Sequence, residues 1–241
     1  MSILVVIVAL AGCGGQGDEE LLVSAAASLA GAFAEIEGAF EDARPDVDVV
    51  LNFGGSSTLR EQILGGAPVD VFASANMSNM DAVVAAGQTV GAPRVFAFNT
   101  LEIAVPAGNP GSVDGLDDFS DDGLLLGLCA EAVPCGELAR EALSTAGVTA
   151  AIDTNEPDVR ALLAKIEAGE LDAGIIYVTD VTSAGGTVEG IAIPEDVNVT
   201  AECSIAVLAG AANHQIANAF IDMVLSDEGQ AILSEYGFSS Q

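Results

Sequence analysis

The chain has 241 residues, of which 51% are hydrophobic, and its 36 acidic residues against 6 basic ones give a formal net charge of −30. This hydrophobic content excludes a disordered acidic tail, and the length suffices for one large domain or two lobes with cores of their own. The charge argues against nucleic-acid binding and against docking on anionic lipid, because both require clustered Lys and Arg.

The N-terminus has the pattern of a lipoprotein signal. Eight apolar residues, Ile3 to Leu10, precede Ala11-Gly12-Cys13, and a polar, glycine-rich stretch follows from Gly14 to Glu20. An apolar segment, small residues and a cysteine, in this order, are typical of a bacterial- or archaeal-type signal whose cysteine receives lipid and becomes the new N-terminus. The apolar segment is too short for a membrane span, which needs about 20 residues.

Residues 1–12 contain no Lys or Arg, although a secretory signal normally carries one. The alternative is a buried first strand over Ile3–Leu10. We predict that residues 1–12 are a signal peptide and that residues 13–20 are a lipidated N-terminus and linker, with the lipid on Cys13. The remaining chain would then work outside the cytoplasmic membrane, in the periplasm or at the cell surface, tethered only through that lipid.

Beyond the linker, strand-like and helix-like segments alternate. In chain order, hydrophobic periodicity predicts strand 21–25, helix 28–43, strand 47–53, helix 57–64, strand 69–73, helix 77–86, strands 101–105 and 124–128, helices 136–146 and 157–168, strands 173–177, 188–193 and 204–208, and helices 216–225 and 228–235. Apolar strands between amphipathic helices indicate an α/β fold with largely parallel sheets. Ligands of such sheets bind where a strand ends and the next helix begins.

Residues suited to binding an anion lie in strand-to-helix turns. The turns are residues 25–29, with Ser28 as the predicted N-cap, 52–58, 133–137 and 155–160. A helix N-terminus offers free N–H groups and about half a positive charge, so it binds anions without a basic side chain. Each turn alone is explained by helix capping, whereas several converging turns would form an anion site.

Longer segments resemble the molybdate-binding proteins of ABC importers. These segments are Ser24–Leu29, Phe53–Leu59, Gly66–Phe72, Val133–Gly136, Asp172–Tyr177, Phe220–Asp222, Ser226–Leu233 and Tyr236–Phe238. The resemblance covers residues 21–238 in the family's order. It implies a two-lobed periplasmic-binding-protein fold of type II, in which each lobe is a mostly parallel sheet flanked by helices and the ligand lies in the cleft between the lobes.

The order of segments divides the chain into lobes. Residues 20–98 together with 205–241 are predicted to form lobe 1, and residues 102–201 lobe 2. The chain would cross near Asn99–Leu101 and again near Glu202–Ser204, and closure about these crossings is the hinge motion expected of such a receptor.

The resemblance also implies a ligand set. By matching position, Ser28 and Ser56 would each give a hydroxyl and a backbone N–H, Cys135 and Val159 a backbone N–H, and Tyr177 its phenol hydroxyl. Family members often have Ala at the position of Cys135, which a backbone donor tolerates. The set supplies about seven neutral donors and no acceptor carboxylate.

Such a set suits molybdate, which is fully deprotonated near neutral pH, and tungstate, which is nearly the same size. Phosphate usually keeps a proton and would need an acceptor. The resemblance therefore implies a receptor that delivers molybdate or tungstate to an ABC permease with its ATPase, without a cofactor or a metal-cation ligand, and as a monomer. A receptor of the same fold for another small oxyanion, such as sulfate, is the alternative.

A hydrolase is the less favoured class. A Ser–His–Asp triad needs a histidine base, and the sole histidine, His214, lies at a predicted helix start far along the chain from the serine turns. We interpret His214 as a surface or capping residue, Asp70 as structural and Arg160 as a helix-surface residue. Of the cysteines other than Cys13, Cys129 and Cys135 could pair, Cys203 is left over, and the spacing disfavours a zinc site.

Overall fold

A computed structural model of the chain describes residues 19–240, so the predicted signal, Cys13 and most of the linker lie outside the described residues. Among residues 19–240, no helix combines the length and the apolar character needed to cross a membrane.

Strands and helices alternate through the described chain. The strands are β1 (Glu19–Ala26), β2 (Val47–Gly54), β3 (Val71–Ser74), β4 (Thr89–Pro106), β5 (Leu126–Cys129), β6 (Thr154–Glu156), β7 (Ala173–Tyr177), β8 (Val188–Ala192) and β9 (Thr200–Leu208). The α-helices are α1 (Ala30–Ala43), α2 (Ser56–Leu64), α3 (Met77–Ala85), α4 (Pro134–Thr145), α5 (Val159–Glu167), α6 (Val178–Ser183), α7 (His214–Val224) and α8 (Asp227–Glu235). Short 3₁₀ helices cover Ala27–Leu29 and Leu116–Ser120.

The strands form a continuous sheet in the order β2-β1-β3-β9-β4-β7-β5-β6, with β8 also paired to β4. Strand β1 runs parallel to β2 and β3, and β5 runs parallel to β6 and β7. The antiparallel pairs all involve β4 or β9, the strands that lie at the middle of this order. The predicted parallel arrangement therefore holds within each flank of the sheet, and the two central strands join the flanks.

Strand β4 is longer than the sequence predicts. It spans 18 residues, whereas the apolar run predicts only 101–105. Its first part pairs with β9, and its last part, from Leu101 onward, pairs with β7 and β8. Register shifts between Val90 and Arg94 and between Val95 and Ala97 interrupt the pairing with β9, and such bulges break the alternation that marks a strand in a sequence.

Two large hydrophobic cores lie on either side of the central strands, and we call the elements around them the first and second lobes. A smaller third cluster packs α2 and α3 against the sheet of the first lobe. The first core includes Phe33, Phe40, Phe96 and Phe220, whose rings contact one another with centroids 5.4 to 6.0 Å apart. The second core is built on β4, β5 and β7 with α4 and α5. Along β4 the buried residues belong to the first core at Ala97 and to the second at Leu101.

Several predicted helix starts differ from the observed ones. The helices predicted from residues 136 and 216 begin two residues earlier, at Pro134 and His214. The N-cap of the first turn is Ala26, and Ser28 lies inside the 3₁₀ helix that follows. The helix predicted from residue 157 begins at Val159, because the Asp158 side chain accepts the Ala161 N–H at 2.9 Å as its N-cap. The preceding residues Thr154–Glu156 form β6, a strand that the sequence did not predict.

Candidate functional site

Every residue that the sequence assigns to the ligand lines one cavity between the two lobes. About 200 Å³ of empty space, part of it open to solvent, lies between its walls, which are formed by Ala26, Ala27, Ser28, Gly54, Gly55, Ser56, Ala75, Val133, Pro134, Cys135, Asp158, Val159 and Tyr177. The residues up to Ala75 come from the first lobe, and the rest come from the second. The strand-to-helix turns that lie far apart in the sequence are thus brought to one place.

The first lobe contributes two serines. Ser56 is the first residue of α2, directly after β2, and it is 1% exposed. Its Oγ accepts the Ala75 N–H at 3.1 Å, which leaves the hydroxyl hydrogen free to be donated into the cavity. Ser28 lies in the 3₁₀ helix after β1, and its Oγ is buried without a hydrogen-bond partner among the described residues.

The second lobe contributes mainly backbone groups. Cys135 is the second residue of α4, after Pro134, and Val159 is the first residue of α5. Both N–H groups lie in the first turn of a helix, where no acceptor within the helix is available. They therefore present donors, and the positive end of each helix dipole, to the cavity.

Tyr177 ends β7 and is the side-chain donor of the second lobe. It is 1% exposed, and in the described part of the chain its hydroxyl is buried without a hydrogen-bond partner. Burial raises the pKa of the Tyr177 phenol well above its usual value, so the phenol remains a donor at physiological pH. Its backbone N–H donates to Asp180 Oδ2 at 3.3 Å.

The loop before α4 is held in several ways. A disulfide joins Cys129 to Cys135, and Cys203 is free and buried, which settles the pairing that the sequence left open. Arg140 Nη1 donates to the carbonyl oxygens of Cys129 and Gly136, both at 2.8 Å. The loop therefore presents the Cys135 N–H from a fixed position.

The charges of the cavity differ from those of the chain as a whole. Among the described residues, no Lys or Arg lines the cavity, and Asp158 is the only carboxylate that does. Asp158 Oδ1 is occupied as the N-cap of α5. Asp180 is buried nearby, and burial raises the pKa of its carboxyl group to about 7, so this group is largely neutral below pH 7. The lining is therefore dominated by neutral donors.

The lobes contact each other beside the cavity. A Cβ atom added to Gly55 would lie 2.6 Å from the carbonyl oxygen of Pro157, in the opposite lobe. Gly55 also precedes α2 as its N-cap, with an extended backbone that other residues can adopt. The glycine is thus needed for the close approach of the two lobes rather than for its own conformation.

The remaining predicted residues lie elsewhere. Asp70 is buried and structural, because its carboxylate accepts the N–H groups of Leu22 at 2.8 Å and Ala212 at 2.7 Å. Arg160 is exposed on α5, and His214 is exposed at the first position of α7. None of these side chains lines the cavity.

The sequence did not single out Gly55 or Asp180. Gly55 lies in the Phe53–Leu59 segment, but its role depends on a contact with Pro157, about a hundred residues away in the sequence. Asp180 belongs to α6, a short helix whose pattern of Val, Thr and Ser gave no helical signal. The role of Gly55 arises from a tertiary contact, which a local pattern does not contain.

Comparison with known proteins gives a consistent result. The family model described as bacterial extracellular solute-binding protein matches residues 21–239. The molybdate-binding protein ModA of Mycobacterium tuberculosis is 38% identical over 224 residues, which cover 93% of this chain and 86% of that protein. ModA of Escherichia coli is 34% identical over 244 residues, covering 96% of this chain and 93% of that protein.

A solved structure shares the architecture. The periplasmic molybdate-binding protein of Azotobacter vinelandii matches with a TM-score of 0.81 over 92% of this chain and 99% of that chain, at 20% identity. This likeness confirms the predicted two-lobed periplasmic-binding-protein fold.

Proposed function

Because the chain belongs to the family of bacterial extracellular solute-binding proteins, we propose that it is an extracytoplasmic receptor that captures molybdate, and tungstate at the same site, for an ABC importer. One observation carries this proposal. The hydroxyls of Ser28 and Tyr177 come from opposite lobes, line one cavity, and are buried without a partner among the described residues. Curated relatives named for molybdate binding support the choice of ion.

Unpaired buried hydroxyls need a ligand that accepts hydrogen bonds. Leaving such a group unsatisfied costs about 1–3 kcal/mol, whereas a hydrogen bond to a charged group contributes about 1.5–3 kcal/mol net. A tetrahedral oxyanion offers lone pairs in several directions at once, so its oxygens can accept from both lobes. Binding would thus satisfy these groups and hold the lobes together.

The proposed ligand set follows from these positions. Ser28 and Ser56 each donate a hydroxyl and a backbone N–H from the first lobe, and Cys135 and Val159 donate backbone N–H groups from the second. Tyr177 donates its phenol hydroxyl. Donors of this kind suit a fully deprotonated dianion, whereas a protonated phosphate would also need an acceptor for its proton, and the set contains no carboxylate to accept it. The thiol chemistry of Cys135 has no part in this arrangement.

The two lobes are proposed to close on the ion as a hinge. Residues 20–98 with 205–241 form one body and residues 102–201 the other, with the crossings in β4 and β9. These two strands pair with each other up to Thr100 and Thr200, next to the point along β4 where the buried residues change from one core to the other. Bending there would move the two walls of the cavity relative to each other.

The proposed partners are an ABC permease with its ATPase, and the receptor is proposed to act as a monomer without catalysis. Cys13 is proposed to carry a lipid that tethers the receptor beside its importer. In a cell that processes such signals, Cys13→Ser should release the protein from the membrane fraction, as seen by immunoblotting. Equal retention of the variant would contradict the anchor while leaving the binding function untouched.

Thermal unfolding of residues 18–241 with molybdate, tungstate, sulfate and phosphate tests the function. A ligand at 100 times its Kd stabilises the fold by about 2.7 kcal/mol, so molybdate and tungstate should each raise the Tm by several degrees, and phosphate should not. No shift with molybdate or tungstate would contradict the proposal. A shift with sulfate alone would favour a sulfate receptor of the same fold.

A further inference from the structure

A second set of polar contacts crosses the cleft away from the cavity. Asn76, which precedes α3 in the first lobe, donates from Nδ2 to Glu137 Oε2 of α4 in the second lobe at 2.8 Å. Ser78 Oγ lies 3.3 Å from the same carboxylate oxygen and donates to it. None of these three residues lines the cavity of Ser28 and Tyr177. This contact therefore joins the lobes without involving the ion.

The first lobe holds the Asn76 amide in one orientation. Asn76 is the N-cap of α3, and its Oδ1 accepts the Asn79 N–H at 3.3 Å and the Asn79 Nδ2 at 2.8 Å. Since Oδ1 must face these donors, Nδ2 faces Ser78, at 2.8 Å, and Glu137. Asn76 and Asn79 are 7% and 1% exposed, so water competes little for these groups.

A cation stands at the other end of the same chain of contacts. Arg60 Nη1 donates to Asn79 Oδ1 at 2.9 Å, and Arg60 lies on α2, the helix that begins with Ser56. Hydrogen bonds thus run from Arg60 through Asn79 and Asn76 to the Glu137 carboxylate. A cation at one end and an anion at the other polarise the amides between them in the same direction, which strengthens each bond.

We propose that the Arg60–Asn79–Asn76–Glu137 chain is a closure latch that sets how long the closed receptor holds its ion. Its residues are positioning residues, because they stabilise the closed arrangement of the lobes and make no contact with the ion. The lobes must separate before the ion can leave the cleft, so a weaker latch makes opening faster and shortens the bound lifetime. The effect on release rests on the proposed function, whereas the effect on closure does not.

A pair of complementary substitutions isolates the latch. Asn76→Asp keeps an oxygen for the α3 N-cap, since Asp caps as well as Asn, but it replaces the donor with a second carboxylate facing Glu137. Adding Glu137→Gln restores one donor and one acceptor across the cleft with their positions exchanged. Glu141→Ala is the matched control for Glu137→Ala, because Glu141 is exposed one turn further along α4 and both substitutions remove one negative charge.

The readout is the release of ⁹⁹Mo-labelled molybdate from loaded protein into excess unlabelled molybdate. Asn76→Asp should speed release about 10-fold and Glu137→Ala about 5-fold, from the loss of a charge-assisted bond that is partly open to water. The double variant Asn76→Asp with Glu137→Gln should return to within about 3-fold of the native rate. Equal release rates for Glu137→Ala and Glu141→Ala, release from Asn76→Asp at the native rate, or an absence of rescue would each overturn the latch.

Ligand-free protein gives a second readout. By small-angle X-ray scattering, the radius of gyration should be larger for Asn76→Asp than for the native protein and the double variant. If the native protein retains no labelled molybdate, the proposed function fails, and the scattering comparison alone decides the latch. Equal radii for the native protein and Asn76→Asp would then overturn it.

Discussion

The two walls of the cleft offer the same chemistry by different means. The first-lobe wall presents serine hydroxyls at Ser28 and Ser56, together with the N–H groups of the turns that carry them. The second-lobe wall presents the backbone of Cys135 and Val159, with Tyr177 as its side-chain donor. Substitutions of the serines on the first-lobe wall should therefore lower the affinity for the ion strongly. On the second-lobe wall, only the substitution of Tyr177 should do so.

The lining of the cleft suits an anion although the chain has a net charge of −30. Among the described residues, Asp158 is the only carboxylate that lines the cavity, and it caps α5. We expect hydroxyls and helix N-termini to attract the ion over short distances, without a buried cation whose desolvation would have to be offset. Because these groups are donors, we expect the site to prefer a fully deprotonated ion.

The largest effect on the affinity for molybdate is expected from Gly55→Ala, which should prevent the two walls from closing on each other. In Gly55→Ala, the new methyl group would lie 2.6 Å from the Pro157 carbonyl oxygen, so the lobes would have to separate. Overpacking costs about 1–3 kcal/mol, and we expect the affinity for molybdate to fall about 100-fold in isothermal titration calorimetry. Gly38→Ala on α1, where a Cβ meets no atom within 4 Å, should leave the affinity unchanged. Equal affinities for the two variants would contradict closure at Gly55.

Ser56→Ala should weaken binding about 10- to 50-fold, because it removes a hydroxyl donor to a charged ligand. It should also lower the free energy of unfolding without ligand, since the Ala75 N–H loses its acceptor. Calorimetry and chemical denaturation measure the two effects separately. The control is Ser57→Ala, which changes a buried neighbour that does not line the cavity. A Ser57 variant as weak as the Ser56 variant would argue against a direct contact.

Tyr177→Phe should weaken binding about 10-fold, through the loss of one hydroxyl donor. Unlike Ser56→Ala, it should leave the ligand-free protein as stable as before or more stable, because the buried hydroxyl has no partner among the described residues. Tyr236→Phe, at the other tyrosine, is the matched control and should not change the affinity. A loss of ligand-free stability in Tyr177→Phe would show that its hydroxyl is already satisfied within the protein.

The smallest effect on affinity is expected for the removal of the disulfide at the second-lobe wall. The double variant Cys129→Ala with Cys135→Ala keeps the N–H of residue 135, and Arg140 still bonds the loop carbonyls, so the affinity should change less than about 3-fold. The loss of the disulfide should lower the free energy of unfolding by about 2–4 kcal/mol. A loss of affinity as large as that of Ser56→Ala would mean that the disulfide shapes the site.

Much of this architecture is predictable from the sequence because its signals are local. Small residues, glycines and hydroxyls mark the strand-to-helix turns, and these turns supply the residues that line the cavity. The first half of β4 was not predictable, because its bulges break the alternation of side chains. Two contacts between the lobes were not predictable either: Gly55 with Pro157, and Asn76 with Glu137. Their residues are far apart in the sequence, so no local pattern encodes them.

Crystals grown with molybdate and measured at the molybdenum absorption edge would locate the bound ion. We expect one strong anomalous peak in the cavity between the lobes, with the oxygens of the ion within hydrogen-bonding distance of Ser28, Ser56 and Tyr177 and of the N–H groups of Cys135 and Val159. A peak outside this cavity, or an ion bound through Arg or Lys side chains, would contradict this expectation.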